Sequence, residues 1–139
     1  MAELADSLAV SMTDNYDVSL IVVKGESLIP NLTGMVREIE PGVSNINFAR
    51  VHYYMINKDM WLTKAVELIN RIKPDIFHNM DNPAILMELD ERPAKALFTF
   101  DSVEYAAEHA TYLPYYDSVN HNSITLARQL QRSRSALTT

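Results

Sequence analysis

Apolar and polar positions along the chain group into short segments with two different periods. Leu4, Leu8 and Met12 recur every four residues and predict a short acidic helix or an arm at the start. Residues 17–24 hold the run Leu20-Ile21-Val22-Val23, closed by Gly25. Continuous β-branched runs of this length suit a strand buried on both faces, so it is expected at the centre of a sheet. Leu32, Met35, Val36 and Ile39 lie at i, i+3, i+4 and i+7, a helical stripe with Pro30 before it and Pro41-Gly42 after it. Residues 45–54 read as one strand burying Ile46, Phe48, Val51 and Tyr53, although the alternation slips between Phe48 and Val51. Trp61, Ala65, Leu68, Ile69 and Ile72 mark the most regular helix, capped by Asn57 or Asp59 and ending before Lys73-Pro74.

The second half continues with a connecting turn over residues 75–82. Pro83 then opens a strand-length run, residues 84–89, and a charged turn leads to a strand over residues 95–100 with Ala96, Phe98 and Phe100 on one side. These two strands are expected to pair as an antiparallel hairpin. Asp101 or Ser102 caps a short helix, an aromatic loop follows at residues 111–117, and a last helix covers residues 123–136. The order is βαβαββα followed by a tail helix. It predicts an α/β domain with a four-stranded mixed sheet and helices on both faces.

Length and composition narrow the chemistry. The 139 residues include 47% hydrophobic and 22% charged ones, enough for a packed core without a metal or disulfide staple. No cysteine is present, which removes disulfides, thiolate nucleophiles and zinc-thiolate or iron–sulfur sites. The net charge of −6 is uneven: Arg128, Arg132 and Arg134 place +3 on residues 121–139, which leaves −9 on the rest. An acidic body repels phosphate backbones, so nucleic acid is disfavoured as a partner, with RNA contact through the three tail arginines the one route left open. No apolar run approaches the ~20 residues that cross a bilayer, and the first residues lack the pattern of a signal peptide. A cytoplasmic protein with no membrane contact is expected.

The element order resembles the thioredoxin-like superfamily over residues 17–112. The most specific stretch is Asn82-Pro83-Ala84-Ile85-Leu86-Met87-Glu88-Leu89, followed by a charged turn, residues 95–100 and a capped helix. In that family a cis-proline precedes the third strand beside the redox site, and Pro83 takes that place here. The resemblance then implies a redox-inactive member, because the segment Lys24-Gly25-Glu26-Ser27-Leu28-Ile29-Pro30 stands where the family has Cys-x-x-Cys. Such members resemble chaperones, adaptors and regulatory binding modules. Three regions follow: an acidic arm or short helix at 1–16, the thioredoxin-like domain at 17–112, and an aromatic loop with a basic helix at 113–139.

Catalytic signals are weaker than their structural alternatives. His52, His78, His109 and His121 show no pair at metal-ligand spacing. Ser27 has no nucleophile elbow and reads as a helix cap, with Glu26 a favourable charge beside it. No catalytic residue, metal or cofactor is therefore assigned. Six of the 7 tyrosines fall at Tyr53, Tyr54, Tyr105, Tyr112, Tyr115 and Tyr116. Tyrosine joins apolar area to a hydrogen-bonding tip and is enriched at interfaces. The expected function is a non-enzymatic protein-binding module, its partner another protein or a second copy. The surface residues are Tyr112, Pro114, Tyr115 and Tyr116, with Arg128, Arg132 and Arg134 in the tail and Pro83 in the domain. Two alternatives stand beside it: a structural or host-interaction subunit of a larger assembly, a viral one included, and a small enzyme using His52, His78 and acidic residues.

Overall fold

The computed structural model describes residues 2–24 and 36–122. The chain divides into two compact units, residues 1–65 and 66–139. The first unit holds α1 (Ala2–Ser11), β1 (Val18–Val23), β2 (Arg37–Glu40), β3 (Val43–Phe48), β4 (Val51–Ile56) and the start of α2 (Trp61–Ile72). The second holds the rest of α2, then β5 (Ile76–Asn79), α3 (Ile85–Glu88), β6 (Lys95–Phe100), α4 (Val103–Glu108), a 3₁₀ segment (Ala110–Tyr115) and β7 (Ser118–His121).

The expected four-stranded mixed sheet is present, but it lies in the first unit and does not include the strands expected over residues 84–89 and 95–100. Its order is β1-β4-β3-β2, with β1 parallel to β4 and the other neighbours antiparallel. β1 has the expected extent and an edge position rather than a central one. Among the described residues it is hydrogen-bonded to a strand on one side only. β4 takes the centre, and its alternate residues Val51, Tyr53 and Met55 join Val22, Ile46 and Ala9 of α1 in one apolar cluster. The acidic start of the chain is therefore built into this core. Leu4 and Ala9 are buried, and so is Asp6, whose Oδ1 accepts a 2.5 Å hydrogen bond from the Tyr53 hydroxyl.

The single strand expected over residues 45–54 is two strands joined by a two-residue turn. Phe48 pairs with Val51, and between them Ala49 and Arg50 have φ of 51° and 64°. Two successive left-handed residues make a type I′ turn, which suits the twist of a hairpin and normally takes Asn-Gly. The slip in alternation is this turn. It lacks the usual residues and so carries no turn signature. Arg50 is tied to Asp14 across 2.8 Å, an exposed ion pair of small value.

The helix expected to reach Ile39 is likewise corrected. Residues 37–40 are the strand β2, with a bulge between Glu38 and Glu40, while residues 25–35 lie outside the described residues. Pro41-Gly42 forms the β2–β3 turn, with Gly42 at φ +80° as the third position of a type II turn requires. A Cβ there would run into Sδ of Met60. α2 matches its sequence pattern, with Ala65, Leu68 and Ile69 buried. It ends as Lys73, at φ 51°, donates its N–H to the Ile69 carbonyl at 2.9 Å and Pro74 follows.

The second unit has a three-stranded, all-parallel sheet in the order β5-β6-β7. The expected hairpin is absent: residues 85–88 are helical and residues 76–79, read as a turn, are a strand. A short apolar run cannot by itself distinguish strand from helix, and here the preceding turn decides. Asn82 accepts from the Ala84 N–H through Oδ1 at 3.0 Å and from the Ile85 N–H through its carbonyl at 3.1 Å, which starts a helix. The Asn82–Pro83 bond is trans. The expected tail helix lies outside the described residues.

Two turn substitutions separate the backbone terms. Ala49→Asn with Arg50→Gly should raise the unfolding free energy by about 1 kcal/mol, since both residues tolerate the left-handed region. Gly42→Ala should lower it by about 2 kcal/mol through φ strain and overpacking on Met60. Urea midpoints at constant slope measure both, and a neutral Gly42→Ala would refute the backbone strain expected at φ +80°.

Candidate functional site

The best-defined polar arrangement lies in the second unit, where the chain leaves β5. Asn79 is buried and all of its amide is used. Its Nδ2 donates to the Asn82 carbonyl at 2.8 Å and to the Tyr116 hydroxyl oxygen at 3.0 Å, and its Oδ1 accepts from the Asp81 N–H at 2.8 Å. The Tyr116 hydroxyl donates onward to the Pro83 carbonyl at 2.7 Å. The turn at residues 79–84 is thus held by a buried amide and a buried phenol. Leaving either without partners would cost about 1–3 kcal/mol.

Tyr116 reaches this turn across the sheet. Its ring lies 5.4 Å from that of Phe98, in a cluster with Leu86 and Ala96. Burial pushes its phenol up to about 12, against the opposing pull of the Asn79 hydrogen bond. Asp117 fixes the next position: its N–H donates to the Ala96 carbonyl and its Oδ2 accepts from the Ala96 N–H, each at 2.8 Å.

The aromatic segment is divided by burial. Tyr116 is 7% exposed and Tyr115 is 54% exposed, because the 3₁₀ segment gives way to extended backbone at Tyr116 and the two side chains part. Pro114 is exposed and Tyr112 half-buried. Tyr112 continues a series of rings: Tyr105 to His109 at 4.3 Å, and His109 to Tyr112 at 6.5 Å. His109 Nδ1 lies 2.9 Å from the Tyr105 carbonyl and donates to it. Burial raises the Tyr105 phenol pKa, with the carboxylates of Asp81 and Glu108 adding to the rise. Ser102, rather than Asp101, caps α4 by accepting from the Tyr105 N–H at 3.1 Å.

Of the residues singled out in the sequence, Tyr112, Pro114, Tyr115 and Tyr116 share this segment, and Pro83 meets Tyr116 through its carbonyl. Pro83 and Tyr116 are buried, whereas Pro114 and Tyr115 are exposed. Arg128, Arg132 and Arg134 lie outside the described residues, as do Glu26 and Ser27. The histidines hold separate partners. His52, in the first unit, places Nδ1 2.8 Å from Asn47 Oδ1 and Nε2 3.0 Å from Asp17 Oδ1. His78, in the second, places Nε2 2.8 Å from Thr99 Oγ1, and burial lowers its pKa. His121 lies 3.0 Å from the Asp101 carbonyl and stacks on Phe100. Among the described residues, no three His, Asp or Glu side chains converge as metal ligands, and no helix is long and apolar enough to cross a membrane.

Asn79 and Asn82 were not singled out in the sequence. Their signal was two asparagines three apart before a proline, a pattern that marks turns in general. A cleft of about 270 Å³ lies at the opposite, amino ends of β5 and β6, lined by Lys73, Asp75, Asp90, Arg92 and Pro93 among others. No family model matches the chain, and neither a curated protein nor a solved structure does.

The Tyr116 assignment has a pH signature. Its pKa is raised from 10.0 to about 12 in the folded chain, so the unfolded chain loses this proton first. Its contribution is complete below pH 10 and is lost as pH rises through about 12. Phenolate absorbance should show a tyrosine titrating at about 12, distinct from the raised Tyr105 and missing in Tyr116→Phe. That variant should also lose about 1–3 kcal/mol at neutral pH. A full set of tyrosines titrating near 10 in the wild type would contradict the buried hydroxyl.

Proposed function

We propose that the chain is a protein-binding module whose contact surface in the second unit is built on Tyr115, with Pro114 and Tyr112 beside it. One observation supports this reading above the others: an exposed tyrosine is adjacent to a buried one whose hydroxyl is hydrogen-bonded twice. Interface hot spots favour aromatic side chains that are rigid before binding, because less conformational freedom is then lost. The anchor at Tyr116 supplies that rigidity at the neighbouring residue. The reading does not draw on the thioredoxin-like resemblance, since the hairpin after Pro83 that suggested it is a helical turn.

A second reading rests on the position of the locked turn. In parallel α/β sheets, ligands bind outside the carboxyl ends of the strands. The 79–84 turn leaves the carboxyl end of β5, and Ser102 and α4 follow that of β6. On this reading the unit binds a small polar ligand, with Asp81 and Ser102 as contacting residues.

The two readings part under test. Capture of a partner from native extract by the immobilised full chain should fall at least about tenfold for Tyr115→Ala, with an unchanged unfolding midpoint. Undiminished capture would remove Tyr115 from the surface. For the second reading, a panel of small polar compounds should raise the wild-type unfolding temperature in at least one case, and Asp81→Asn should lose that rise. A panel without effect on the wild type counts against it.

A further inference from the structure

We draw no further inference here: the strongest candidate, the edge of β1 that pairs with no strand among the described residues of the first unit, carries nothing because no described residue shows what covers it.

Discussion

The second unit depends on the need of one buried amide to be satisfied. Asn79 sits at the end of a strand, away from water, with two donors and an acceptor to place. The Asn82 carbonyl, the Asp81 N–H and the Tyr116 hydroxyl answer that need, and the hydroxyl is completed by the Pro83 carbonyl. These bonds connect the end of β5 and the nearby start of α3 to the approach to β7, where Tyr116 lies 37 residues beyond Asn79. Apolar packing against Phe98 supplies much of the energy, since a fully buried aromatic side chain contributes about 1.5–3 kcal/mol. It is non-directional, however. The hydrogen bonds decide which way the Tyr116 ring runs and hence that Tyr115 faces outward.

In the first unit the comparable constraint is turn geometry. Two turns reverse the chain within the sheet, and both need left-handed backbone. Gly42 adopts it freely and also leaves room for Met60. Ala49 and Arg50 adopt it against their preference, held there by six paired positions between β3 and β4. Pairing and burial of Val51, Tyr53, Ile46 and Met55 outweigh a local cost of about 1–3 kcal/mol for each strained residue. Tertiary pairing thus overrides local propensity at that turn.

The legible parts of the fold are those whose pattern is long or whose residues carry one meaning. α2 shows five apolar positions at helical spacing over three turns, and nothing nearby competes with it. β1 and β6 are β-branched or aromatic runs bounded by turn residues. The misread parts are short or ambiguous. Ile85 to Glu88 suits strand and helix alike, and the Asn82 turn settled it. Ile76 to Asn79 has only two apolar residues, so β5 was invisible until its polar half found Thr99 and Tyr116 as partners. Pro41-Gly42 ends helices and reverses hairpins equally well. The candidate site was half legible: tyrosine clustering drew attention to residues 112–116, while the split between Tyr115 and Tyr116 depends on which hydroxyl reaches Asn79 and the Pro83 carbonyl.

The sequence alone determined that this chain has no thiol chemistry, that it folds as mixed α and β structure, and that three of its 7 tyrosines fall within residues 112–116. Composition and short-range periodicity are properties of the chain itself, so they could be read without a fold. Only the tertiary structure decided that the mixed sheet closes within residues 18–56, that a second, parallel sheet follows, and that Tyr116 is buried while Tyr115 is exposed. Those outcomes depend on hydrogen bonds and burial between residues as far apart as Asn79 and Tyr116, where no local pattern can carry the information.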